Sequence, residues 1–481
     1  MRPVLKTLSL AMGTALALAA CAVGPDYKRP DSPLPARYQA PAGDETQPLA
    51  QVESGWWKRF GDPTLDQLVE AALATNADLA SAVARMQEAE AAMREAGASL
   101  YPELDLELGS TRNRVSTRTA TPMPAGTPVL RDNRRAALTT AFELDFWGRI
   151  RRLSEAARAQ ALASRYARDT VALSVSGLIS SQYFGLRTLD AQLAAAQDTL
   201  ASREESARVV ENRIRGGVAS PLDRNQALSA LAAARAQIAT LRQSRALAQH
   251  QLALLTGQPD LKLDPAPAAA LPVPPLPPAG LPSDLLTSRP DIRQAEETLV
   301  AANAQIGAAR AAYFPKISLT ASLGSESKTL ADLFSGPANL WSLGLGAVMP
   351  LIDAGRTSAR VDQATARQQQ ALAAYRKTVE SAFKDVNDAL VTLREQTQVE
   401  SAQAERARAA AESHRIARLR YESGYSTYLT LLDAQRDAND ARVAELAARQ
   451  ARLTAAVDLF KALGGGWQDA SPRVAASSTP P

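Results

Sequence analysis

Two periods of apolar and polar positions alternate along this chain. Ala136, Leu138, Thr140, Phe142, Leu144 and Phe146 occupy even positions, with Thr139, Glu143 and Asp145 between them. Ile317, Leu319, Ala321 and Leu323 alternate with Ser318, Thr320, Ser322 and Gly324. Trp341, Leu343, Leu345, Ala347 and Met349 alternate with Ser342, Gly344 and Gly346, and Leu104, Leu106 and Leu108 with Asp105, Glu107 and Gly109. A period of two predicts four strands, about 104–115, 136–147, 317–324 and 340–349, each with one apolar face. Their length suits bilayer-spanning strands of ~9–11 residues, and Trp147 and Trp341 near strand ends suit an interfacial aromatic girdle. A small soluble sheet capping helices is the alternative reading of the same pattern.

The second period is helical. Arg149 to Gly216 and Arg356 to Ser423 are rich in Ala, Arg, Glu, Gln and Leu, and no proline interrupts either. Each helix would reach ~100 Å. Leu372, Val379, Val386 and Leu393 recur every seven residues, with Phe383 and Leu390 between, which is coiled-coil spacing. Both helices run into glycine, and Gly217 and Gly424 suit the left-handed position after a helix. Ser220-Pro221 and Thr427-Tyr428 then open returning helices, so each half holds an antiparallel helical hairpin turning at those glycines.

These landmarks repeat. Gly148 and Gly355, Gly217 and Gly424, Leu222 and Leu429, and Gly257 and Gly464 are each 207 residues apart. Asn76-Ala77-Asp78-Leu79 returns at an offset of 213 as Arg289-Pro290-Asp291-Ile292, and a Thr/Pro-rich stretch in the first copy, Ser116 to Asn133, absorbs the difference. A duplicated domain follows. The expected organisation is a signal peptide at 1–20, a lipidated extended segment at 21–61, a first repeat at 62–257, a Pro/Ala-rich linker at 258–282, a second repeat at 283–466 and a tail at 467–481.

Arg2 and Lys6 followed by the apolar run Leu8 to Ala20 form an export signal. Leu18-Ala19-Ala20-Cys21 resembles a bacterial lipobox, which implies a covalent lipid, diacylglyceryl and palmitate, on Cys21. Beyond it no apolar run reaches 18 residues, so any membrane crossing must use a closed β-barrel. Four strands are too few to close, whereas three copies would supply twelve. The 54 Lys and Arg against 50 Asp and Glu alternate along solvated helix faces, which argues against a nucleic-acid partner. One cysteine and two histidines, His250 and His414, are too few for a zinc site or a Cys-His nucleophile pair. Gly344-Leu345-Gly346 lacks the third glycine of a dinucleotide loop. An enzyme, a metal and any cofactor beyond the Cys21 lipid are not expected.

Trp56-Trp57-Lys58-Arg59-Phe60 with Asp62 and Leu65, the repeated helix entry, Ala312-Tyr313-Phe314-Pro315, the 420–436 block from Arg420-Tyr421 to Asp433 and Arg436, and Leu463-Gly464-Gly465-Gly466-Trp467 resemble the outer membrane factor family. These are TolC-like efflux ducts, and the likeness is to the OprM/NodT lipoprotein branch over the whole mature chain. The resemblance implies a mainly α fold with a shared membrane β-barrel: a homotrimer with twelve outer-membrane strands and a periplasmic barrel of twelve helices. It implies a passive exit duct for drugs or other toxic small molecules, served by a periplasmic adaptor and an inner-membrane pump of the RND or a related type. A type I-like protein secretion duct and a coiled-coil surface scaffold without a pore are the alternatives. By position, Leu429 and Asp433 would form apolar and acidic rings at the pore constriction, and Asp223, Arg420 and Tyr421 a latch between hairpins. Some relatives carry a second acid where this chain has Thr430. From the residues alone, Asp433 reads as a surface acid paired with Arg436, and Asp223 as the partner of Ser220 in a capping box.

Overall fold

The computed structural model describes residues 22–31, 35, 38, 54–118, 124, 126–265, 271–275 and 282–469. The expected signal peptide, Cys21 and the tail beyond Asp469 lie outside the described residues. The longer elements are α1 (Pro63–Thr75), α2 (Ala77–Ala98), β1 (Asp105–Arg114), β2 (Leu130–Leu144), α3 (Arg149–Arg215), α4 (Pro221–Leu255), α5 (Pro290–Ala311), β3 (Lys316–Ser327), β4 (Asn339–Val348), α6 (Arg356–Glu422) and α7 (Tyr428–Ala462). The fold is mainly helical, with one four-stranded antiparallel sheet in the order β1-β2-β3-β4. It divides into two compact units, one of residues 1–30, 86–164 and 295–375, the other of 31–85, 165–294 and 376–481.

The first unit holds the sheet. Its register runs without a break: Leu106 faces Leu138, Leu138 faces Leu323, and Leu323 faces Trp341. Thr140, Ala321 and Leu343 form another row, and Phe142, Leu319 and Leu345 the next. Because side chains alternate faces, this register places every apolar set on one side. The opposite face carries Asp105, Thr139, Ser322 and Ser342 in one row. The apolar rows extend along β2 from Ala136 to Leu144, about 27 Å at ~3.4 Å per residue. Leu106, Leu108, Leu323, Trp341, Leu343 and Leu345 are each at least 65% exposed, so this chain alone leaves the face uncovered. Among the described residues, β1 and β4 each have a partner strand on one side only.

β2 begins at Leu130, six residues before the alternation at Ala136. The polar run Arg131–Arg135 still pairs residue by residue with Asn113–Gly109, so the ladder carries the strand beyond its apolar pattern. The strand ends before Trp147, whose ring stacks on Phe314 at 4.7 Å while its indole N–H donates to the Pro315 carbonyl at 2.9 Å. Residues 22–29 cross the same unit as an extended strap. The Val23 N–H donates to the Trp147 carbonyl at 3.0 Å, and the Asn303 amide donates to the Pro25 carbonyl at 2.8 Å. Asp26 pairs with Arg152, and Arg29 with Glu296. At the crossing, a Cβ on Gly24 would lie 2.4 Å from the Gly307 Cα, so glycine is required there.

The second unit shows why the aromatic N-terminal motif exists. Trp56–Phe60 forms a 3-10 turn that buries Trp56 and Phe60, with Trp56 stacked on Phe460 at 5.3 Å and Phe60 against Phe184 at 5.0 Å. Val379, Val386, Leu390 and Leu393 of the heptad run are buried along α6, while Leu372 and Phe383 are half-buried. The duplication is visible in the contacts. Asn76 caps α2 and donates to the Leu255 carbonyl at 3.0 Å; its counterpart Arg289 donates to the Ala462 carbonyl, also at 3.0 Å. Each repeat thus ties its helix entry to the end of its returning helix. Asp190, fully buried, is held between Arg187 at 3.1 Å and Arg245 at 2.6 Å.

Candidate functional site

The two hairpin turns belong to the second unit, and each is built by helix-ending chemistry. α3 stops at Gly217, with φ +73°, and α6 at Gly424, with φ +83°, a conformation that costs glycine little. The Val218 N–H reaches back to the Arg213 carbonyl at 2.9 Å and the Tyr425 N–H to the Arg420 carbonyl at 2.7 Å. These bonds satisfy carbonyls that the helix end would otherwise leave open. The returning helices start differently. Ser220 and Asp223 form a reciprocal capping box with Pro221 at the first helical position, whereas Thr427 accepts from the Thr430 N–H without an acid partner.

Tyr421 is buried in the seam of its own chain, among Val210, Ala227, Ala417, Tyr428 and Leu431. Its ring lies 5.7 Å from that of Tyr428, and the Arg213 guanidinium sits 4.5 Å above it. Arg213 also donates to the Tyr421 carbonyl at 2.8 Å. Arg213 is absent from the expected site. It stands 207 residues before Arg420, so the repeat itself held the signal for it. Arg420 is exposed, and Asp223 is engaged by the Ser220 N–H at 3.0 Å. Among the described residues no hydrogen bond joins Asp223 to Arg420 or Tyr421.

Leu429 is 51% exposed and the Asp433 side chain 54%, with Arg436 at 3.9 Å, a weak solvated pair. They share one exposed face of α7 with Thr430, Arg436, Asp437 and Asp440. The face therefore continues its negative charge two turns beyond Asp433. We expect Asp433→Asn to weaken block of the conducting protein by divalent cations about tenfold, read as the blocking concentration in planar bilayers.

Behind that face the packing buries a guanidinium. Arg203 is 7% exposed, and its Nη1 has no hydrogen-bond partner among the described residues. Burial pushes its guanidinium below the ordinary range, with Tyr428 and Asp440 opposing the shift and the Arg436 charge adding to it. Burial likewise raises the Tyr428 hydroxyl. Arg203→Met, similar in bulk, removes an unsatisfied buried donor, and thermal unfolding of the variant should show a gain of about 1–3 kcal/mol.

Residues 68–258 and 281–465 match the family described as outer membrane efflux protein. The antibiotic efflux pump outer membrane protein ArpC of Pseudomonas putida is 37% identical over 476 residues, covering 96% of each chain. The chain belongs to the outer membrane efflux protein family. The cation efflux system protein CusC of Escherichia coli is 35% identical over 94% of this chain and 97% of its own. The solved outer-membrane channel OprN superposes with a TM-score of 0.84 at 31% identity, over 93% of this chain and all of that one. The protein is thus a TolC-like outer-membrane channel of a tripartite efflux pump, a transport protein and not an enzyme.

Proposed function

We propose that three copies of this channel pool their strands into one twelve-stranded outer-membrane barrel, with the paired helices continuing as a periplasmic tunnel. One observation carries the reading: a register that gathers one apolar face across four strands yet, among the described residues, leaves β1 and β4 without outer partners. Unpaired strand edges in hydrocarbon cost several kcal/mol per polar group, so the sheet must close, and it closes only with other copies of itself. A lipid on Cys21, which the lipobox resemblance implies, would suit the same placement. The strap bonds at Val23 to the Trp147 carbonyl, beside the helix-side end of β2, where an anchored chain would meet the inner leaflet.

The hairpin turns then form the periplasmic tip, where Leu429 and Asp433 of each copy ring the axis. Asp223, Arg420 and Tyr421 hold neighbouring hairpins together, and outward movement of α6 and α7 widens the opening. The duct passively takes small toxic compounds from an inner-membrane pump of the RND or a related type through a periplasmic adaptor. Relatives named for antibiotic, toluene and cation efflux support that range of cargo. Reconstitution in planar bilayers tests the reading: discrete single-channel steps are expected, and membranes left without conductance at saturating protein would overturn it.

A further inference from the structure

Beyond the apolar rows, on the same face of the sheet, the register sets a patch of arginines. Ser110, Arg112 and Arg114 of β1 continue the side of Leu106 and Leu108, and Asp132 and Arg134 of β2 continue the side of Ala136 and Leu138. Arg112 and Arg134 are diagonal neighbours, about 7–8 Å apart at the backbone. Asp132 lies 3.6 Å from Arg112 and is the single acid among the described residues on this face of β1 and β2 beyond the apolar rows, while Arg134 donates to the carbonyl of the exposed Lys328 at 3.1 Å. The opposite face balances its charge differently: Arg135 is answered by both Glu107 and Glu326 at 3.4 Å. The surplus of positive charge therefore sits on the apolar side, at the end of the sheet away from the helices.

We propose that Arg112, Arg114 and Arg134 bind the phosphates of lipopolysaccharide in the outer leaflet. The proposal rests on the barrel reading, which turns this face to lipid and this end to the cell exterior. The chemistry fits that ligand because tails and headgroup are matched in one line. Acyl chains lie against Leu106, Leu108, Leu138, Leu323 and the Trp341 ring, and the phosphorylated glucosamines come level with the guanidiniums. Arginine forks pair with phosphate oxygens through two N–H groups at once, and long side chains reach from strand to headgroup. A free phosphate would gain the charge contact but nothing from the apolar rows.

The full-length protein, purified in mild detergent, should retain diphosphoryl lipid A in native mass spectrometry. Removing two of the cations in R112Q/R134Q should weaken retention about thirtyfold. Arg131→Gln, on the polar face, should leave it unchanged. Dephosphorylated lipid A should bind the wild type as weakly as diphosphoryl lipid A binds the double variant, and millimolar inorganic phosphate should not displace the lipid. Equal retention by the double variant, equal binding of the dephosphorylated lipid, or displacement by inorganic phosphate would each overturn the proposal. Bilayer conductance separates the two readings. A conducting double variant that has lost the lipid supports both, a conducting double variant that keeps it overturns this site alone, and a wild type without conductance overturns the barrel and the site together.

Discussion

Leu343→Arg should abolish outer-membrane assembly, while Ser322→Arg, one row away on the other face, should not. Leu343 lies in the row of Thr140 and Ala321, near the middle of the apolar band, and is 68% exposed in the single chain. On the lipid face of a barrel, an arginine at that depth costs about 2–4 kcal/mol. Three copies would bear that cost together in one assembly. Ser322 projects from the polar face in the row of Asp105, Thr139 and Ser342. An arginine there would face the water-filled lumen of the proposed barrel. The check is the amount of heat-modifiable oligomer in isolated outer membranes. Loss in both variants would mean that the polar face of the sheet is packed as well, which contradicts a face turned to a water-filled lumen.

Tyr421→Ala with Asp223→Ala should raise single-channel conductance severalfold. Truncating a buried aromatic removes about 3–5 kcal/mol of packing, here from the seam that joins α6 and α7 to Val210 and Arg213 of α3. That weakens the hold on the tip within each copy, and the proposed three-copy assembly would carry the loss three times. Asp223 separates two roles. As the capping partner of Ser220 its loss costs about 1 kcal/mol of helix stability and leaves conductance alone. As a latch to the neighbouring hairpin its loss opens the pore even with Tyr421 intact. Asp223→Ala by itself in the bilayer decides between them, and an unchanged conductance in the double variant removes the latch.

What the sequence displayed and what it hid follow from how each feature is encoded. The strands were legible wherever hydrophobicity alternates, as from Leu138 to Leu144, because one face seeks an apolar medium. The first turns of β2 were not, since Arg131 to Arg135 are held by ladder bonds to β1 and carry no hydrophobic period. Helix ends at Gly217 and Gly424 were readable because a positive φ selects glycine. The strap was opaque: its place depends on contacts with distant residues, from Trp147 and Arg152 to Asn303 and the backbone crossing at Gly307, which no local pattern announces. At the tip, Tyr421 and Asp433 were visible through resemblance. Arg213 emerges only when the first repeat is laid on the second, and the burial of Arg203 is decided by three-dimensional packing alone.

Electron cryomicroscopy of the detergent-solubilised protein bears most directly on the central claim that identical chains complete one another's sheet. A hollow particle with threefold symmetry, β1 of each copy hydrogen-bonded to β4 of the next, is the predicted image. A single-copy particle whose four strands fold back onto its own helices would contradict it.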